Sequence, residues 1–286
     1  MTRHPARTTN NEKNHARSKR RNVPVTTALT VHRVDLAGAV GSEWVKFQGL
    51  RSNVIVAGFA FVLIGANAIL MPWAYVLRDR STPQADYNPY PEMIVDKVGY
   101  IGILLAILGA MLVAGEYRSG QIKTTLLSVP KRTPVLVSKS LVAAAVSFTV
   151  GVPSAGIGFA AAPPILATGG YHYDLSVGDG LRLVLGSGLY LAALSLVGVA
   201  LGVLIRNVVA SVLATIALLL VVPVIPQVFS QFGAEITRFF PIQAGSLLLA
   251  QLGNGGLGPW GGYAVLAAWA AALLAAAAVT LKRRDA

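Results

Sequence analysis

Residues that commonly perform covalent chemistry or hold metals are sparse in this chain of 286 residues. There is no cysteine, which excludes disulfides, thiolate metal sites and cysteine nucleophiles. No Gly-x-x-x-x-Gly-Lys-Ser/Thr motif is present, so we expect no ATP to be cradled by this chain. We therefore predict no bound cofactor, no metal and no enzymatic activity. The histidines are scattered without the spacing of a metal site: His4, His15, His32 and His172.

One serine lies where a nucleophile is conceivable. Gly186-Ser187-Gly188 falls within an apolar run, as the nucleophile of an intramembrane serine protease would. Such an enzyme needs a base beside the serine, and no apolar run contains a histidine. Small residues that permit close helix packing are the better interpretation. Gly198-x-x-x-Gly202, further along the same run, is interpreted in the same way.

The elements that hold these residues are predicted from composition. Hydrophobic residues make up 54% of the chain and charged residues only 13%, against about 25% charged in soluble domains. Several uncharged windows reach the roughly 20 residues that span a bilayer. A transmembrane barrel would instead show short alternating segments. We therefore predict an all-α polytopic membrane protein.

Six spanning helices are expected. A shorter apolar run, 239–252, contains Pro241 and Gly245 and is predicted to be a re-entrant or interfacial segment before the last span. We expect Pro153 to kink the third span, and Pro223 and Pro226 to bend the fifth. The predicted spans cover residues 54–77, 98–113, 134–162, 181–205, 208–229 and 260–281.

The distribution of basic residues predicts the orientation. The net charge is +12, and most of the 24 Lys and Arg residues fall in the two terminal regions and in the loop between the second and third spans. Positive charge accumulates on the cytoplasmic side of membrane proteins. Both termini and this loop are therefore expected in the cytoplasm. The other side is left with Arg78, Arg80, Lys97, Arg182 and Arg238.

Two segments precede the first span. Residues 1–30 are polar and basic and predict a disordered cytoplasmic tail, so the membrane domain is expected to cover 31–286. Within 31–51, apolar residues recur every three or four positions, which indicates an amphipathic helix. An interfacial position in the membrane is favoured for this helix by Glu43, Trp44, Lys46, Phe47 and Arg51.

The predicted spans contain almost no ionisable residues. Arg182 lies near the outer end of the fourth span, where its side chain is expected to snorkel towards water. The predicted spans lack a carboxylate that could couple transport to an ion. This argues against an ion-coupled carrier and favours transport driven by an external energy source. Asn67, Tyr190 and Thr215 are candidates to line a pathway. The alternative is that each bonds a neighbouring helix or its own backbone.

The longest polar interruption between apolar runs extends from Gly115 to Lys139. A turn between two spans needs only a few residues, and this segment uses about two dozen and includes several basic ones. The segment therefore predicts a surface that another molecule contacts on the cytoplasmic side. The alternative is an ordinary solvated loop whose basic residues only set the topology.

The order of these parts resembles the permease subunit of bacterial type-2 ABC exporters, of the drug and antibiotic efflux kind. The resemblance covers residues 35–286 in architecture and is most specific at 43–52 and 116–139. The motifs that carry it are Ser42-Glu43-Trp44-Val45-Lys46, Leu50-Arg51-Ser52, Glu116-Tyr117-Arg118-Ser119-Gly120, Thr124-Thr125-Leu126-Leu127, Val129-Pro130-Lys131-Arg132 and Val137-x-Lys139.

The resemblance implies a role for two segments. The amphipathic helix corresponds to the family's interfacial connecting helix, and residues 116–127 correspond to the coupling helix that docks on the ATPase subunit. It also implies partners: ABC ATPase subunits that bind ATP and Mg²⁺, a second permease copy or a paralogue, and the bacterial cell membrane. The docking residues implied are Glu116, Tyr117, Arg118, Gly120, Gln121, Thr124 and Thr125.

We therefore expect substrate export by alternating access, with energy from a separate ATPase and no nucleic-acid partner. A non-transport membrane factor for assembly or resistance is the alternative, and an ion-coupled secondary carrier is a further one. The substrate is not determined by the sequence.

Overall fold

The structure is a computed structural model and describes residues 36–81, 91–120, 132–171, 176–229, 233–250 and 256–283. The chain divides into two units, Met1–Arg33 and Val34–Ala286, and the described residues all belong to the second. The predicted disordered tail over residues 1–30 and the start of the membrane domain at residue 31 lie outside the described residues.

Helices and turns make up the described residues, which include no strand, so the all-α prediction is confirmed. Short 3₁₀ turns occur at Pro91–Ile94 and Leu247–Leu249. The α-helices are α1 Leu36–Gly49, α2 Arg51–Ser81, α3 Val98–Ser119, α4 Arg132–Ala167, α5 Val177–Ile205, α6 Val208–Ile216, α7 Ile225–Phe229, α8 Gly233–Thr237, α9 Pro241–Ser246 and α10 Pro259–Arg283.

Six stretches of the described chain are long and apolar enough to cross a membrane, which confirms the predicted number and order of spans. α6 and α7 belong to one of these stretches, because the helix continues between them. The second stretch is longer than predicted, since α3 does not end at Val113 but continues to Ser119. The stretches are Arg51–Arg78, Pro91–Ser119, Thr133–Ala167, Val177–Ile205, Val208–Val228 and Pro259–Arg283.

The centre of the bundle is α5, which packs against α3, α4 and α10. Its glycines allow close contact, as predicted. A Cβ atom added to Gly198 would lie 1.8 Å from the carbonyl oxygen of Ala106 on α3, and one added to Gly202 would lie 2.6 Å from that of Ala110. Ser187 is buried, and its hydroxyl donates to the Leu183 carbonyl at 2.7 Å. Its role in this structure is therefore packing.

The fifth span is irregular in its second half, where the prolines predict a bend. A π-helical segment, Ala217–Val221, is followed by a 3₁₀ turn, Val222–Val224, which contains Pro223. Proline lacks the backbone N–H and disrupts helical bonding. The Pro223 carbonyl accepts hydrogen bonds from Gln227 Nε2 at 3.2 Å and from Thr237 Oγ1 of α8 at 3.1 Å.

The described part of the segment between the fifth and sixth spans, residues 233–250, contains α8, α9 and a 3₁₀ turn, none long enough to cross a membrane. Tyr190 of α5 holds it in place, because its hydroxyl donates to the Ile242 carbonyl at 2.6 Å. The Tyr190 side chain passes between two glycines. A Cβ atom added to Gly99 of α3 would lie 2.0 Å from the Tyr190 hydroxyl oxygen, and one added to Gly245 of α9 would lie 2.2 Å from the ring. This close approach requires glycine at both positions.

Arg182 secures the end of the same segment and corrects one expectation. Its side chain does not snorkel into water but is 14% exposed, and Nη1 donates to the carbonyls of Leu248 at 3.1 Å and Ala250 at 2.9 Å. Carbonyl groups at the end of a helical turn have no partner within the turn. The guanidinium satisfies them, which is why it stays inside.

Candidate functional site

The first element of the candidate site is α1. Ala39, Glu43 and Phe47 recur every four residues and are buried, so they form one face of the helix. Trp44 and Val45 are exposed on the other side, and the Trp44 ring stacks on Phe47 with 5.9 Å between centroids. Exposed apolar side chains on an amphipathic helix suit a membrane interface. The interfacial position stays a prediction.

The buried face of α1 packs mainly on α4 and carries a carboxylate with it. Glu43 is only 7% exposed, and Lys46 lies three residues further on, close enough to pair with it along the helix. Arg51, the last residue of the predicted interfacial set, is exposed and begins α2 instead.

Glu43 and Lys46 meet Glu116 of α3 and Lys139 of α4, and these four residues are named the ion-pair cluster. Lys46 Nζ lies 2.7 Å from Glu43 Oε1 and 3.0 Å from Glu116 Oε1. Lys139 Nζ lies 2.6 Å from Glu43 Oε2 and 2.8 Å from Glu116 Oε1. Each lysine therefore contacts both carboxylates, and the four ion pairs form a closed ring with no net charge.

Three of the four side chains in this ring are almost fully buried. The side chains of Lys139, Glu43 and Glu116 are 3%, 8% and 8% exposed, so none of them is well solvated. Glu116 also lies in the last turn of α3, where the helix dipole disfavours a negative charge. Its Oε1 accepts from both lysines, while its buried Oε2 has no hydrogen-bond partner. Charges held in this way need all their partners.

Lys46 is the most solvated member, with its side chain 38% exposed. Burial alone would lower the pKa of its ammonium group, but the hydrogen bonds that it donates to Glu43 and Glu116, and their negative charges, outweigh burial and raise the pKa above the ordinary value of 10.5. The ammonium of Lys46 is therefore charged at neutral pH.

A second contact joins the end of α3 to the turn between α5 and α6. The Arg206 guanidinium lies over the ring of Tyr117, with 5.2 Å from Cζ to the centroid. Arg206 has a left-handed backbone with φ of 58°, and its N–H donates to the Gly202 carbonyl at 3.1 Å, which closes α5. A cation over an aromatic face is attracted to it.

The structure describes only the first part of the predicted docking segment, residues 116–120. Residues 116–119 are not the start of a separate helix but the last turn of α3, which ends because Gly120 adopts a left-handed backbone with φ of 72°. Glu116 is buried, Tyr117 is half-buried, and Arg118 and Gly120 are exposed. Gln121, Thr124 and Thr125 lie outside the described residues. The docking role of the segment stays a prediction.

The three pathway candidates do not come together with the ion-pair cluster. Tyr190 is buried and holds α9, and the buried Thr215 hydroxyl donates to the Ser211 carbonyl at 2.8 Å. Asn67 is half-buried on α2, and its Oδ1 is buried without a hydrogen-bond partner. In this conformation Tyr190 and Thr215 have the packing contacts that were the alternative, and a pathway role stays a prediction for all three.

Two members of the site were not selected by sequence reasoning. Lys139 stands in the motif Val137-x-Lys139 that carries the resemblance, without a predicted partner, and Arg206 counts only among the basic residues of the side expected to be cytoplasmic. A usable signal was present in the acidic residues, because Glu43 and Glu116 stand on a side of the membrane that is otherwise strongly basic. Acidic residues at the ends of spans on such a side are candidates for buried ion pairs.

Comparison with known proteins assigns the chain to a family. A family model described as ABC-2 family transporter protein matches residues 39–223, well over half of the chain, from α1 into the fifth span. The chain belongs to the ABC-2 transporter family. The matched region of this ABC-2 transporter contains every member of the ion-pair cluster. No curated protein gives a significant match.

Family membership makes the chain a multi-pass membrane transport component, and it implies an ABC ATPase as a partner in general. This agrees with a chain that is not itself the ATPase. Within the described residues, no group of three or more potential ligands could hold a metal ion.

Proposed function

We propose that this ABC-2 transporter is the permease subunit of an exporter driven by a separate ATPase, and that it moves substrate outward by alternating access. Two copies, or one copy and a paralogue, pair in the bacterial cell membrane with both termini in the cytoplasm. ATP and Mg²⁺ belong to the ATPase. Efflux of drug-like apolar or amphipathic compounds fits spans that carry few charges.

The observation that supports this proposal is the position of the ion-pair cluster at the ends of α3 and α4, which are joined by residues 121–131, named the loop because they connect two spans. Glu116 lies at the end of α3 that enters the loop, and Lys139 lies near the start of α4 that leaves it. Glu116 is paired with Lys46 of α1, Lys139 is paired with Glu43 of α1, and Glu116 and Lys139 are paired with each other. A force applied to the loop therefore displaces α1, α3 and α4 together.

Close backbone contact carries such a displacement further into the bundle. α3 and α5 touch through Gly198 and Gly202, where no side chain lies between the helices to absorb a shift. Arg206 and Tyr117 connect the same two helices at the end nearest the loop. Packed interfaces of this kind respond as units because they do not deform continuously.

Photo-cross-linking in native membranes tests the docking role. A photoreactive residue is placed at Arg118, which is exposed beside the loop, or at Gln121 within it. The control position is Trp260, which is exposed at the opposite end of the spans. We expect positions 118 and 121, and not 260, to capture an ABC ATPase that mass spectrometry identifies. A docking role is excluded if neither position ever reaches an ATPase.

ATP hydrolysis by the isolated complex in vesicles tests the transmission of motion. Lys139→Met is expected to abolish the dependence of hydrolysis on transported compound while the ATPase stays bound. The control is Lys282→Met, which removes an exposed lysine on the same side. Proton- or sodium-dependent flux without ATP would instead support a carrier, and a chain that captures no ATPase and moves no compound would support an assembly factor.

A further inference from the structure

A lateral groove lies between α10 and the segment that follows α8. Its volume is about 720 Å³, within the range of small-molecule sites. One wall consists of apolar side chains of α10, and the other of Phe239 and Phe240. Trp269 joins the walls, since its Nε1 donates to the Phe239 carbonyl at 2.9 Å and its ring stacks on Phe240 at 6.3 Å. The α10 wall contains Val265, Ala268, Trp269 and Ala272.

The groove lies along the interior of the sixth membrane-spanning stretch rather than at its end. Trp269 follows Pro259, the first residue of α10, by ten positions, which is roughly 15 Å along a helix. Phe239 is 45% exposed beside it. An apolar groove that opens sideways at this depth is accessible to lipid chains.

The mouth of the groove carries one charge of each sign. Arg238 Nη2 lies 2.7 Å from Glu235 Oε2, and these side chains are 38% and 62% exposed. The guanidinium packs over the Phe239 ring at 5.2 Å. Its Nη1 lies 3.2 Å from where a Cβ atom of Gly256 would be, three residues before α10 begins. The charged ends therefore reach from the groove towards the membrane interface.

We propose that this groove binds a phospholipid with a primary ammonium headgroup, drawn from the leaflet at the Pro259 end of α10. Its acyl chain lies along Ala268 and Ala272, its phosphate accepts hydrogen bonds from Arg238, and its ammonium donates to Glu235. Such a lipid matches the groove in two respects. Its acyl chain is apolar like the walls of the groove, and its headgroup carries charges opposite to those of Arg238 and Glu235 at the mouth. The headgroup of a purely anionic lipid carries no positive charge, so the exposed Glu235 carboxylate would face only a like charge. This inference does not rest on the proposed export function.

Quenching of tryptophan fluorescence by brominated lipids tests the proposal. The full-length chain keeps Trp269 alone, with the other three tryptophans replaced by phenylalanine, in phosphatidylcholine vesicles. A fraction of the lipid is brominated phosphatidylethanolamine, phosphatidylglycerol or phosphatidylcholine. Charge-assisted hydrogen bonds to the headgroup should favour phosphatidylethanolamine about tenfold in relative association constant. A variant that keeps only Trp73, which is exposed on α2, should show no preference.

Variants of the groove residues test which side chains determine the headgroup preference. Glu235→Gln should remove the preference for phosphatidylethanolamine over phosphatidylcholine, and Arg238→Gln should weaken the binding of both phosphatidylethanolamine and phosphatidylglycerol. Ala268→Phe should fill the groove and reduce quenching by all three lipids. Its control is Ala271→Phe, which is exposed on the same helix and does not line the groove.

Results of two kinds would overturn the proposal. One is equal quenching by the three headgroups, or a preference that survives Glu235→Gln. The other is coverage of the groove by a second copy of the chain, which is detectable because the chain has no native cysteine. In that case Ala268→Cys would form a disulfide between two copies, and Trp269 would be protected from every brominated lipid.

Discussion

Replacement of Lys139 by methionine tests the central claim that the ion-pair cluster holds three helices together. The substitution keeps most of the volume of the buried side chain and removes only its charge. Glu43 and Glu116 are then left with Lys46 as their shared partner. The local net charge becomes negative in a place that water scarcely reaches.

The expected loss follows from the geometry. Lys139 makes two of the four ion pairs, at 2.6 Å and 2.8 Å, with a side chain that is 3% exposed. Removal of one partner from a buried pair costs about 3–5 kcal/mol, because the other charge stays buried. Lys46→Met should cost about 1 kcal/mol or less, because that side chain is 38% exposed and solvent screens its pairs.

A double-mutant cycle separates charge balance from packing. Glu116→Gln with Lys139→Met leaves one acid and one base, Glu43 and Lys46, so the combined loss should fall short of the sum of the single losses by about 0.5–3 kcal/mol. The measurement is the free energy of unfolding in mixed micelles titrated with sodium dodecyl sulfate and followed by tryptophan fluorescence. The reasoning fails if Lys139→Met and Lys46→Met cost the same, or if the two changes in the cycle are additive.

Two further predictions concern packing. Gly198→Ala places a Cβ atom 1.8 Å from a carbonyl oxygen of α3 and should abolish assembly of a monodisperse protein, as measured by gel filtration. Gly156→Ala in α4, where nothing lies within 4 Å, should instead stabilise by about 0.5–1 kcal/mol, and equal behaviour of the two variants would contradict the packing. Tyr190→Phe removes the 2.6 Å hydrogen bond to Ile242 and should cost about 0.5–1.5 kcal/mol of unfolding free energy in the same micelle titration. A neutral result would mean that this bond does not hold α9.

The spans were predictable because each is specified locally. An apolar run of about 20 residues reflects the thickness of the bilayer, and no knowledge of neighbouring helices is needed to recognise it. The ends were less predictable, as α3 shows. Residues 115–119 are polar but still helical, since the helix ends only where Gly120 adopts a left-handed backbone.

The candidate site was predictable in its residues but not in its assembly. Glu43, Lys46 and Glu116 stood out by motif, yet Lys46 and Glu116 are 70 positions apart and Glu43 and Lys139 are 96 apart. Periodicity reports which face of a helix is apolar, and it does not report which helices meet. Arg182 shows the same limit, because the carbonyl groups that hold it inside belong to a distant turn.

The hydrogen bonds of α5 to the segment after the fifth span also set an order of events during synthesis. The acceptor of the Tyr190 hydroxyl lies 52 residues later in the chain. The acceptors of the Arg182 guanidinium lie 66 and 68 residues later, so all three are made after α5. Before those residues are made, the Tyr190 hydroxyl and the Arg182 guanidinium of α5 lack these acceptors. These contacts of α5 are therefore complete only after Ala250 has been made, and a chain truncated before Ile242 would leave the Tyr190 hydroxyl and the Arg182 guanidinium without these acceptors.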